Sequence, residues 1–361
     1  MTTRWLGVTG LGVVVVAAAA ATFMLTSQPS APAAFTAPPV AAVSPTGNGA
    51  PDCQEGAALC LASELSEQYP SDPGTSLTQY AQAADADAAL AVNCHAAYHV
   101  IGRAAGESSV NAWATLRSGT NDCNFGFVHG VVEGLLADIT EASTAVSEVA
   151  AVCTPPQKYA DDYQTLGNCV HGAGHALLRT IGSPEEALQG CLEAFNAPAA
   201  TTCSEGLFME YANDVSTYGT DTAATSLCER VPTSFEASCW SNMGPVWFSG
   251  GSLPAEAFDG CQDAGDFVAD CATSVGNVYT FVMLARSSSP EDILTKCTEF
   301  SGDVAQGCFE GVSVSLTSAV AQGAAEQDLV DAAVNNVVPA QARPGVDEAI
   351  RDALRGLPSV K

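Results

Sequence analysis

The chain contains five histidines, at positions 95, 99, 129, 171 and 175. A neutral imidazole can ligate a metal, accept a proton or donate one, so what these residues do depends on where the fold brings them together. In HAAYH (His95, His99) and HGAGH (His171, His175) the spacing is i, i+4, which puts two rings one turn apart on the same face of a helix. Two rings so placed can ligate one ion. Each pair is followed four residues later by an arginine, Arg103 or Arg179, and His129 is followed at the same distance by Glu133. An imidazole set suits Zn, Cu, Fe and Ni alike.

The elements that must position these rings form a repeat. Cys169, Cys203, Cys239, Cys271 and Cys308 recur at intervals of 32 to 37 residues, opening CVHGAGHALL, CSEGLFMEYA, CWSNMGPVWF, CATSVGNVYT and CFEGVSVSLT. CHAAYHVIGR at Cys94 and CNFGFVHGVVEGLL at Cys123 bring the set to seven. Between these A segments lie amphipathic B segments with start signals such as SPEEALQGC (183–191) and SPEDILTKC (289–297). There Ser is an N-cap, Pro fits the first turn, and the two acids face the positive end of the helix dipole. The unit is therefore helix A, turn, helix B, with the period of helical hairpin arrays.

From the third repeat onward, each B helix ends near a cysteine that lies 10 to 16 residues before the next A cysteine. That spacing predicts five staples between neighbouring helix ends: Cys153–Cys169, Cys191–Cys203, Cys228–Cys239, Cys261–Cys271 and Cys297–Cys308. Cys53, Cys60, Cys94 and Cys123 remain, and four cysteines allow three connectivities. Fourteen cysteines with no C-x-x-C argue for seven disulfides in an oxidising compartment. They argue against a thioredoxin-like centre, a zinc ribbon and covalent haem attachment. Over roughly residues 90–320 the arrangement resembles cysteine-rich, tetratricopeptide-related helical repeat proteins, without their Tyr and Gly consensus. The resemblance implies an all-α, disulfide-stapled solenoid of about seven hairpins and, by analogy, a recognition role.

Aligned on the repeat, the histidines fall in two columns of helix A and only in repeats one to three, so the array carries one local site. Glu133 stands between Arg103 and Arg179 in the next column, which favours ion pairing and a supporting role that orients His129. Glu205 and Glu210 are possible outer ligands, with a solvated helix face as the simpler role. Two readings of the histidines stand: a transition-metal site, or a hydrogen-bonded ladder within an interaction scaffold that binds a peptide or envelope polymer. Neighbouring helix axes lie about 8 to 10 Å apart, so a shared ion requires the three helices to curve around a common point. One ion and two ions are both compatible with the pattern. The small residues Ala96, Gly126, Gly172, Gly206, Ser274 and Gly311 read as close helix packing. No H-E-x-x-H, G-x-S-x-G or phosphate loop is present. A metalloenzyme would need an open coordination position, and Arg103 and Arg179 would suit an anionic substrate.

Of 361 residues, 40 are Asp or Glu and 12 are Lys or Arg, a net charge of −28 that excludes nucleic-acid binding through a basic surface. Residues 5–25 are an uncharged apolar run behind Arg4, long enough to span a bilayer as a signal-anchor or to serve as a cleaved signal peptide. Residues 27–51 contain six prolines and no charge, the composition of a stiff spacer. The expected organisation is a leader (1–26), a linker (27–51), a helical repeat domain (52–338) and a C-terminal helix or tail (339–361). The expected location is the cell membrane, single-pass, with the domain on the extracytoplasmic side, or secretion after cleavage. Expected partners are the membrane through residues 5–25 and an envelope protein or a small anionic ligand.

Overall fold

The computed structural model describes residues 57–87, 90–91, 93–119, 123–213, 224–249, 254–284, 286–321 and 325–356. The leader, the linker and Cys53 lie outside them. Among the described residues the regular elements are all helices. The first part of the chain forms α1 (Ala57–Gln68), α2 (Pro73–Ala84), α3 (Cys94–Glu107), α4 (Ala112–Leu116), α5 (Gly126–Leu135), α6 (Ala142–Val152), α7 (Tyr163–Ile181), α8 (Pro184–Ala194) and α9 (Ala197–Asn213). The second part forms α10 (Thr233–Trp240), α11 (Gly244–Ser249), α12 (Pro254–Gly260), α13 (Val268–Leu284), α14 (Pro290–Lys296), α15 (Gly302–Ala321), α16 (Gln327–Val337) and α17 (Arg343–Gly356).

The start signals act as their chemistry requires. Ser183 Oγ accepts a hydrogen bond from Glu186 N–H at the head of α8, and Ser289 Oγ does the same for Asp292 N–H at the head of α14. Helix α7 is capped by Asp162 and ends at Gly182, whose φ of 79° is a left-handed C-cap. The A helices pack side by side in chain order: α3 against α5, α5 against α7, α7 against α9, and later α13 against α15. Helices α6 and α8 lie against α7.

All five staples read from the spacing are present, with Cα–Cα separations of 5.4 to 5.8 Å. A sixth bridge, Cys94–Cys123, settles part of the pairing that the sequence left open. Cys60 is disulfide-bonded as well. These bridges belong to an oxidising, extracytoplasmic environment.

Two features differ from the repeat as the sequence presents it. The stapled cysteine sits inside the A helix rather than at its start: α7 begins six residues before Cys169 and α9 six before Cys203. The CWSNMGPVWF segment is not one helix. Helix α10 stops at Trp240 and α11 resumes at Gly244, because Pro245 has no N–H to donate and its ring clashes with the carbonyl four residues back. Pro254–Leu284 is long and apolar enough to cross a membrane by length and composition, but 61% of its apolar window is buried inside the fold. It is also interrupted at Gly265, whose φ is 59°. This stretch is therefore read as core helix.

Candidate metal centre

Three A helices bring the histidines together. His95 and His99 come from α3, His129 from α5, and His171 and His175 from α7. Close backbone approach makes this possible. A Cβ on Gly130 would collide with the carbonyl oxygen of His99, and one on Gly172 would lie 2.9 Å from His129 Cα. With hydrogen in those places the helices close up enough for ring centroids to stand 5.3 Å apart for His99–His129, 4.7 Å for His129–His171 and 5.1 Å for His99–His175. The last distance joins the first and third histidine helices directly. It shows that the rings of all three helices converge on a common point, which a flat side-by-side row would not allow.

Hydrogen bonds set the tautomers of three of the rings. His95 Nδ1 lies 2.9 Å from the carbonyl oxygen of Cys123, an acceptor only, so in the neutral ring the proton is on Nδ1. His99 Nδ1 donates to Glu133 Oε1 at 2.8 Å and His175 Nδ1 donates to Glu210 Oε2 at 3.1 Å. In His95 and His99 the Nε2 atoms therefore both carry lone pairs, and they face each other at 3.0 Å. Two lone pairs at that distance repel unless a cation lies between them. Nitrogens about 2.0 to 2.1 Å from one ion, at a near-right angle, are about 3 Å apart. The loop that aims the Cys123 carbonyl is itself strained: Cys123, Asn124 and Phe125 have φ of 52°, 50° and 61°, a left-handed run without glycine.

The remaining ring nitrogens include four without partners. His129 is 2% exposed and neither of its nitrogens has a hydrogen-bond partner; the same is true of Nε2 of His171 and of His175. A buried polar atom left unpaired costs about 1 to 3 kcal/mol, so four in one place require an explanation. Burial, reinforced by the neighbouring rings, holds His95, His129 and His171 well below the usual histidine range, and burial also lowers His99 against the pull of Glu133. These four rings are therefore held toward the neutral form, the form that binds metal.

Behind the rings stands a charged layer. Glu133 Oε2 accepts from Arg103 at 2.7 Å and faces Arg179 Nε at 3.7 Å, while Arg179 Nε donates to Glu210 Oε1 at 2.8 Å. Burial pushes the Glu133 carboxyl up, but His99, Arg179 and Arg103 together pull harder and hold it well below the carboxylate range. Every oxygen of Glu133 and Glu210 is thus occupied by a His or Arg donor, which suits these acids to orienting the rings more than to ligating an ion. The arginine side chains are 36% and 40% exposed and border an open cleft of about 390 Å3 with Thr140 and Thr180.

Three sets of potential ligands have donor atoms within 4.8 Å of one another: His95, His99 and His129; His129, His171 and His175; and Glu133, His175 and Glu210. They could hold a metal ion, and the nitrogen-rich donor set fits Zn, Cu, Fe or Ni better than Ca or Mg. Among the described residues Glu205 joins none of these sets. It is partly buried, and burial pushes its carboxyl up to about 7. Two expectations need correction. Glu133 is bonded to His99 and not to His129, and Glu210 is no solvated residue but is 5% exposed and bonded to His175. A signal for Glu210 was available: it follows His175 by 35 residues, as Glu133 follows His99 by 34. Comparison of the chain with protein-family models, curated proteins and solved structures finds no match.

Proposed function

We propose that this protein binds a transition metal through His95, His99, His129, His171 and His175. Glu133 and Glu210 act as orienting carboxylates, and Arg103 and Arg179 close the charged layer. The observation that carries the reading is the set of four buried ring nitrogens without a partner, beside two Nε2 lone pairs turned on each other at 3.0 Å. A purely structural ladder would pair its nitrogens, because unpaired buried donors and acceptors destabilise a fold. The proposal extends to the rest of the chain: an exported solenoid of helical hairpins, anchored through residues 5–25 and held off the membrane by residues 27–51. A small anion reaching the centre would approach over Arg103 and Arg179, which border the cleft.

Elemental analysis of the purified full chain tests this reading. Near-stoichiometric Zn, Cu, Fe or Ni that disappears in the His171→Ala, His175→Ala double variant, with helicity unchanged, supports it. A chain that remains metal-free after exposure to these ions, with the same fold, refutes it.

A further inference from the structure

The centre is built from two halves that repeat each other. In the first, His95, His99 and Arg103 run at i, i+4, i+8 along α3, and Glu133 from α5 holds Nδ1 of His99. In the second, His171, His175 and Arg179 run at the same spacing along α7, and Glu210 from α9 holds Nδ1 of His175. Each half thus offers two imidazoles on one helical face and one carboxylate behind them. His129 belongs to neither pair and neighbours both. Its ring centroid is 5.5 and 5.3 Å from His95 and His99, and 4.7 and 5.5 Å from His171 and His175.

Two further observations single out His129. It is the one ring common to both three-histidine sets, and the five rings do not merge into a single set within ligand reach. It also has both ring nitrogens buried without a hydrogen-bond partner, whereas His95, His99 and His175 each tie Nδ1 to an oxygen. A terminal histidine ligand normally has its second nitrogen held by an acceptor. The fold supplies that acceptor on His99 and His175 and withholds it from His129.

We infer that the centre is dinuclear: one metal ion sits with His95 and His99, a second with His171 and His175, and His129 bridges them as an imidazolate. The inference rests on the transition-metal reading above and specifies how many ions that site takes. The proton balance is simple. A neutral imidazole has one lone pair and one N–H, so binding through both nitrogens releases the N–H proton to solvent, and the ring anion is shared by two cations. With each ion about 2.0 to 2.1 Å from its nitrogen, the two stand roughly 6 Å apart across the ring. Each ion then has three protein nitrogens, one short of a closed tetrahedral set and the ligand count of an open site. The ring anion and the carboxylates of Glu133 and Glu210 offset part of the added positive charge.

Copper(II) makes the bridge visible, because an imidazolate couples the unpaired electrons of the two ions it joins. The metal-free full chain is loaded with Cu(II), copper per chain is measured, and the low-temperature electron paramagnetic resonance signal is integrated. The expected result is two coppers per chain with an integrated intensity far below that of two independent spins. In His129→Ala, or in His129→Gln if the first variant does not fold, any copper retained should give its full uncoupled intensity. Two coppers with full intensity in the unaltered chain would overturn the bridge, as would coupling that survives the loss of His129. One copper with full intensity would overturn the dinuclear centre and leave the five-histidine reading standing. A chain that takes up no copper and no zinc would overturn the metal reading itself. The unaltered chain alone gives the number of ions and whether they couple, and the His129 variant assigns the coupling to that ring.

Discussion

Replacing Glu133 by Gln removes one charge and no volume, and the structure indicates where the effect goes. One carboxylate oxygen accepts from His99 Nδ1 at 2.8 Å, and the other accepts from Arg103 at 2.7 Å while facing Arg179 at 3.7 Å. A glutamine offers one acceptor oxygen and one amide donor. Whichever way it turns, the NH2 group meets either the His99 N–H or the Arg103 guanidinium, so one buried donor loses its partner. The full penalty for such a group is about 1 to 3 kcal/mol. The arginine heads are partly exposed and can take water instead, so about 1 to 2 kcal/mol of apoprotein stability is the expected loss. The larger effect is on the metal. Loss of a supporting acceptor behind a ligating histidine typically weakens metal binding 10- to 100-fold, about 1.4 to 2.8 kcal/mol. Competition titration of Zn(II) against a chromophoric chelator measures this, with thermal unfolding of the metal-free protein in parallel. Glu210→Gln should weaken binding in the same range through His175. If Glu133→Gln binds zinc within twofold of the unaltered chain and melts at the same temperature, the assignment of Glu133 as the group that holds His99 is wrong.

His95, His129 and His171 set a pH dependence for the metal-free protein. Their protonation is held below the ordinary range in the fold, so below about pH 6.5 the unfolded chain binds more protons and stability falls as pH falls, by up to about 1.4 kcal/mol per pH unit for each ring. Urea titrations between pH 5 and 8 check this, and a flat profile contradicts it. Glu205 runs the other way. Burial pushes its carboxyl up to about 7, so the fold keeps a proton that the unfolded chain loses, and stability falls as pH rises from about 4.5 to 7. Glu205→Gln should therefore stabilise the protein at pH 8, by at most about 3 kcal/mol, and leave it unchanged at pH 4; equal melting shifts at both pH values would refute this. Non-reducing peptide mapping should recover Cys94–Cys123 along with the five short staples. Each bridge contributes about 2 to 4 kcal/mol, so reduction should melt the array, and absence of two or more bridges would overturn the hairpin-staple arrangement.

The sequence displayed the parts of this fold that obey a period. The cysteine rhythm gave five bridges, because a staple across the turn between consecutive helices needs only a short separation. The caps at Ser183 and Ser289 were legible for the same local reason. The helix starts were less so: nothing about Cys169 says that α7 runs back to Tyr163, since the capping group is Asp162, outside the repeated segment. At the site, the i, i+4 pairs gave four of the five rings, and the alignment added His129. The identity of each carboxylate's partner was not readable. The choice between His99 and His129 as the acceptor's neighbour depends on the crossing of α3 and α5, which Gly130 sets by close backbone approach. Glu210 was legible only as a possible outer ligand, because it stands one position outside the column alignment; its offset from His175 is 35 residues, against 34 for Glu133 from His99. The Cys94–Cys123 bridge joins segments 29 residues apart, with no short-loop rule to select it.

The most direct test of the central claim is X-ray absorption spectroscopy at the metal edge of the zinc-loaded full chain. A transition metal held by these histidines should show a first shell of nitrogen at about 2.0 to 2.1 Å, with the multiple-scattering pattern of imidazole rings and an average of three rings per ion. That pattern should vanish when His95, His99, His171 and His175 are replaced by alanine. A first shell of oxygen without imidazole scattering, or an unchanged spectrum after those replacements, would place the metal elsewhere and contradict the account.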